Sequence, residues 1–110
     1  MRHFHASAVE RRIIVNKEFV SHPMECGWAS EAILFLIVEE AKNAGSLQAQ
    51  VELSADGINW VGEGTIFPGI NGSGNFFARV KHFGNWLRVS GTVEGANAEF
   101  KLSVHLHLKE

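Results

Sequence analysis

Polar and apolar residues alternate with a period of two through most of the second half of the chain. In residues 47–54, Leu47, Ala49, Val51 and Leu53 fall on one side, and Gln48, Gln50, Glu52 and Ser54 on the other. That is the pattern of a half-buried strand, because successive side chains of a strand point to opposite faces. Asp56-Gly57 follows, a pair suited to the positive φ of a tight hairpin, and residues 58–64, with Trp60, read as the return strand. Residues 76–81 and 86–94 read as two further strands. The last segment alternates most cleanly, with Phe100, Leu102, Val104, Leu106 and Leu108 opposite Lys101, Ser103, His105, His107 and Lys109. Turn signals recur about every ten residues, at Asp56-Gly57, residues 69–75, 82–85 and 95–97, a spacing typical of sandwiches and barrels.

The first half is less regular. Residues 12–20 read as a strand, and residues 21–27, with Pro23 and Cys26, as a loop. Residues 29–42 fit two patterns. Ser30 can cap a helix that ends near Gly45, and Glu31, Ala32, Leu34 and Glu39 favour one. Against this, residues 33–38 are apolar without interruption. A helix of that kind is apolar all round and must be wholly buried, which so short a chain can scarcely arrange. A central strand suits the run better. The expected fold is all-β: a two-layer, antiparallel, jelly-roll-like β-sandwich of seven to eight strands. Residues 11–110 are expected to form its single domain, preceded by an N-terminal arm or edge strand at 1–10.

Composition narrows the classes of function. The 110 residues carry 10 Lys+Arg against 12 Asp+Glu, so no global charge attracts nucleic acid or an anionic membrane. No apolar run approaches the ~20 residues of a membrane helix. The first residues hold charges where a signal peptide has its apolar stretch. The expected protein is soluble and cytoplasmic at synthesis, which is compatible with later incorporation into a particle. A single cysteine excludes an internal disulfide and a multi-cysteine zinc site.

Few residues suggest chemistry. His3-Phe-His5 and His105-Leu-His107 each place two imidazoles on one side of a strand, and imidazole is a ligand for zinc and copper. If the terminal strands meet, His3, His5, His105 and His107 can converge on one ion. The same spacing also fits solvated outward residues above an apolar core. Cys26 has His22 four residues earlier, but no Gly-x-Ser-x-Gly elbow and no paired carboxylates support hydrolysis. The glycine loop at 69–75 lacks a phosphate loop's Lys-Ser/Thr ending and leads into a strand. No catalytic residue, enzymatic activity or cofactor is expected. Trp28, Phe35, Ile37, Asn71, Ser73 and Arg88 are the candidates for contact with a partner or ligand.

Ser54-Ala-Asp-Gly-Ile-Asn-Trp60, the segment Phe83-Gly-Asn-Trp-Leu-Arg-Val89 and the closing amphipathic strand together resemble small β-sandwich structural proteins of tailed bacteriophages and prophages, of the head-decoration or virion-accessory type. The rhythm is also similar, more weakly, to discoidin-like carbohydrate-binding sandwiches. The first resemblance implies a non-enzymatic assembly protein that self-associates or decorates a shell. The second implies a carbohydrate-binding module. Neither brings an active site.

Overall fold

The structure, a computed structural model, describes residues 4–81 and 83–110. Among these, nine strands are formed: β1 (Phe4–Val15), β2 (Glu18–Val20), β3 (Met24–Glu25), β4 (Glu31–Lys42), β5 (Ser46–Ser54), β6 (Val61–Ile66), β7 (Gly74–Lys81), β8 (Trp86–Glu94) and β9 (Glu99–Lys109). They build two antiparallel sheets. One has the order β1-β9-β4-β7 and the other β2-β8-β5-β6, with the short β3 also pairing with β8. No helix long and apolar enough to cross a membrane is present among the described residues.

The two-layer, all-β sandwich is the fold the alternation predicts. The uninterrupted apolar run is strand, not helix. It forms β4, which lies between β9 and β7 and is paired on both edges. Ala32, Leu34, Leu36 and Val38 face the other sheet and are buried. They meet Leu47, Val51, Leu87 and Val89 of the second sheet in one core, with Phe100, Leu102, Leu106 and Leu108 of β9 beside them.

Strand boundaries differ from expectation where the chain changes sheets. Residues 12–20 are not one strand: the chain breaks after Val15, and β2 joins the opposite sheet against β8. The buried Ser21 secures this crossing. Its N–H donates to the Val89 carbonyl at 2.8 Å, and its Oγ accepts from the Val89 N–H at 2.9 Å. The expected loop at 21–27 contains β3. These two short strands raise the number to nine.

The Asp56-Gly57 turn is wider than a two-residue hairpin, because β6 starts only at Val61. Its order comes from side chains. Ser54 Oγ accepts from the Gly57 N–H at 2.8 Å, and the Asp56 carboxylate accepts from the N–H groups of Ile58 and Asn59 at 2.9 and 2.8 Å. Asp and Ser side chains favour turns for this reason: they satisfy backbone donors that no ladder reaches. Gly57 takes φ 79° there, with Trp86 packed against its open side. Two tryptophans, whose size suits a plug between the sheets, lie outside the core. Trp60 and Trp86 are half-buried, and Phe67 and Phe100 are the large rings fully enclosed.

Candidate functional site: the outer face of the four-stranded sheet

The inner faces of both sheets are apolar, as a sandwich requires. Their outer faces differ sharply. On the β2-β8-β5-β6 sheet, Gln48, Gln50 and Glu52 of β5 lie opposite Thr92, Ser90 and Arg88 of β8. The Arg88 Nε donates to Glu52 Oε1 at 2.7 Å, and the guanidinium stacks over Trp60 at 4.2 Å from the ring centroid. Arg88 is therefore engaged within its own chain, and this face is polar along β5 and β8, with Val20 and Ile66 exposed on the strands beside them.

The outer face of the β1-β9-β4-β7 sheet is built from in-register rows that cross the strands. Lys109, Glu31 and Lys81 form one row. Ala6, His107, Ile33 and Arg79 form the next, followed by Ala8, His105, Phe35 and Phe77, then by Ser103, Ile37 and Asn75. Rings connect all four strands. Phe4 meets His107 edge-on at 5.7 Å between centroids, and His107 meets Phe35 at 4.9 Å. Phe35 meets Phe77 at 6.4 Å, and the Arg79 guanidinium lies 5.1 Å above Phe77. These are favourable cross-strand separations, each contributing roughly 0.5–1 kcal/mol to sheet pairing. Yet Phe4 and Phe77 remain 64% and 53% exposed, and Ile33, Phe35 and Ile37 are only half-buried.

Apart from Arg79, which lies over Phe77, the charges of this face lie toward its two ends. Lys81 pairs with Glu31 at 3.8 Å at one end. At the other, Glu39 takes both Arg12 at 3.2 Å and Lys101 at 3.9 Å. Arg12 sits in an irregular stretch of β1 with φ 49°, and its N–H donates to Ser103 Oγ at 2.9 Å. An apolar centre with an ion-paired rim is the anatomy of a protein–protein contact.

The structure brings some of the sequence-predicted residues together and separates the rest. Phe35 and Ile37 lie in the apolar centre. Trp28 is exposed on the loop before β4, Asn71 and Ser73 are exposed on the loop before β7, and Arg88 is on the opposite sheet. Of the four histidines proposed as ligands, His105 and His107 share the outer face. His5 pairs with Leu108 and so projects from the other side of the sheet. His3 lies outside the described residues, as does His82. Among the described residues, no group of three or more His, Cys, Asp or Glu is placed to hold a metal ion. Phe4, Phe77 and Arg79 were not among the sequence candidates. The signal for one of them was present: Phe76 and Phe77 are adjacent on a strand, so one ring must face outward.

Cys26 is not set up as a nucleophile. Burial, aided by the charge of Glu25, pushes its thiol up to about 12, and the thiolate is the reactive form. His22 does not pair with it: its Nδ1 lies 2.7 Å from Glu10 Oε2.

No family model matches the sequence, and no curated protein matches it. Solved structures do. The chain is similar over 100% of its length to the SPBc2 prophage-derived protein YomS, of which it spans 96%, with TM-score 0.58 and 6% identity. It is similar to a chain of infectious bursal disease virus, Gx strain, with TM-score 0.63 and 10% identity, spanning 32% of that chain. It also matches dimeric latent PorU of Porphyromonas gingivalis with TM-score 0.59 and 5% identity, spanning only 13% of that chain. At these identities the likeness is one of fold: the sandwich recurs in a prophage protein, a virus and a bacterial protein.

Proposed function

We propose that the chain is a non-enzymatic structural protein that assembles with copies of itself through the outer face of the four-stranded sheet, as a component of a phage-like or virion-like particle. One observation carries this reading: the ladder of Phe4, His107, Phe35, Phe77 and Arg79 runs across all four strands and stays half-open to water. A contiguous exposed aromatic and aliphatic patch marks an interaction surface. The opposite face carries glutamine, serine and threonine along its two central strands, and its exposed Val20 and Ile66 form no comparable ladder of rings.

The patch is present on every copy, so two copies can bury it against each other by a two-fold operation, the commonest symmetry of self-association. The fold shared with YomS and the viral chain fits a particle component, although neither brings a residue-level function to this chain.

Light scattering over a dilution series tests the reading, with Phe77→Lys as the comparison. Expected is a mass that is a multiple of the 12.1 kDa chain at high concentration, and a monomer for the variant. Phe77 is 53% exposed on the edge strand β7, so lysine there fills no core space and places a charge within the patch. A wild-type monomer throughout the series overturns the proposal.

A further inference from the structure

This inference rests on the assembly reading and adds its regulation: we infer that self-association through the outer sheet face is switched off by mild acid, with His105 and His107 as the sensors.

The two imidazoles occupy the middle of the apolar face. His107 lies between Ala6 of β1 and Ile33 of β4, and touches the rings of Phe4 and Phe35. His105 lies between Ala8 of β1 and Phe35 of β4. Every direct cross-strand neighbour of either histidine is uncharged.

The titratable groups that face them are further along the strands. On β9 itself they are Lys109, Lys101 and, at the far end, Glu99. On β4 they are Glu31, which lies opposite both Lys109 and Lys81, Glu39, which is taken by Arg12 and Lys101, and Glu40, which is in register with Lys101. On β7 they are Arg79 and Lys81, and on β1 they are Arg12 and Glu10. The Glu10 carboxylate is held by His22, through both the backbone N–H at 2.8 Å and Nδ1 at 2.7 Å. In the rows at and beside His107 stand Lys109, Lys81, Arg79 and Glu31. No carboxylate is the direct cross-strand neighbour of either imidazole, so a proton added there gains no adjacent counter-charge.

The consequence depends on whether the face is covered. Open to water, an imidazolium is hydrated and costs little. Covered by a second copy, it is desolvated among Phe35, Phe4 and Ile33, and burying an unpaired charge is strongly unfavourable. The assembled state therefore binds fewer protons than the free chain. By linkage, association weakens as pH falls through the range in which histidine gains its proton. Each imidazole that must shed a proton raises the dissociation constant by up to tenfold per pH unit below that range, and a pair of copies holds two such residues on each side. Edge-on contact of a neutral imidazole with Phe4 and Phe35 explains why histidine can belong to an apolar patch above that range.

The test is sedimentation or light scattering from about pH 8 to about pH 5, on the wild type and on His105→Gln/His107→Gln. Glutamine keeps a polar side chain and cannot take up a proton. Tryptophan fluorescence monitors the fold at each pH. Expected is an assembled wild type at the alkaline end that dissociates as a folded chain on acidification, while the double variant, whatever its dissociation constant at the alkaline end, shows no rise of that constant with acid. A wild type that is monomeric even at the alkaline end rejects the assembly reading, and this inference with it. A wild type that assembles and holds its mass in acid overturns the inference alone. So does a double variant that dissociates over the same pH range, or a loss of mass that coincides with loss of the fold.

Discussion

Leu36 and Ile37 are neighbours on β4, and the sandwich gives them opposite surroundings. Leu36 is 0% exposed and faces the second sheet, whereas Ile37 is half-buried on the outer face between Ser103 and Asn75. Leu36→Ala removes methyl groups from a closed interior and leaves a cavity, at a cost of about 3–4 kcal/mol. That is a large part of the roughly 5–15 kcal/mol that holds a domain of this size together. With a urea dependence of about 1.5–2 kcal/mol per molar, the unfolding midpoint falls by about 2 M. Ile37→Ala leaves no closed cavity, since water fills the space, and it removes only the buried half of the side chain. Its cost is about 1 kcal/mol, and its midpoint falls by about 0.5 M.

Urea titration followed by fluorescence of the three tryptophans measures both variants at low protein concentration. Repeating the titration at high concentration separates the two roles. Assembly stabilises the folded chain by mass action, so the gap between wild type and Ile37→Ala widens with concentration, whereas the Leu36→Ala gap stays constant. Equal costs at low concentration, or a larger cost at Ile37, refute the assignment of inner and outer faces. A gap at Ile37 that ignores concentration refutes its place in an assembly contact.

Two further predictions follow from individual residues. The Asp56 carboxyl is held well below its ordinary value of 3.8 by the N–H groups of Asn59 and Ile58, then by the Asn59 and Ser54 side chains. A lowered native value means stability that is present above the unfolded value and lost as pH falls through the native one. The advantage of wild type over Asp56→Asn is therefore constant near neutral pH and shrinks as pH drops below 3.8; a urea midpoint difference unchanged down to about pH 2 contradicts this. Cys26 is buried with its thiol pushed up to about 12, so a thiol-specific chromogenic reagent at mildly alkaline pH reacts only after denaturant is added. Prompt stoichiometric reaction of the native chain contradicts the burial.

The legible part of the fold is the part governed by a period of two. Residues 47–54 and the closing strand reveal their inner faces directly, because one face of each meets the core and the other meets water. The short strands β2 and β3 escaped that reading. Three or two residues are too few to show a period, and what places them is a distant partner, β8, together with the Ser21–Val89 hydrogen bonds. Trp60 and Trp86 lie outside the core for a different reason. Size suggests a core plug, but an indole can be covered from outside, and here Arg88 lies on Trp60 while Trp86 lies on Gly57.

The candidate site was half legible. Residues 33–38 announce apolar groups on both sides of one strand, and that alone marks Phe35 and Ile37. It does not say which residues stand beside them. That depends on register: a shift of one residue between β4 and β7 would turn Phe77 inward and Phe76 outward, and the same shift in β9 would bury both histidines. Register here is set by long-range pairing of strands separated by more than thirty residues, so no local turn encodes it. The same pairing decides the fate of the His-x-His motifs. As strands, both present two imidazoles to one side. But β1 meets β9 with His5 opposite Leu108 and Ala6 opposite His107, one residue out of the phase that would join the two motifs. That phase leaves His5 on the opposite side of the sheet from His105 and His107, with His107 against the rings of Phe4 and Phe35 and His105 opposite Phe35.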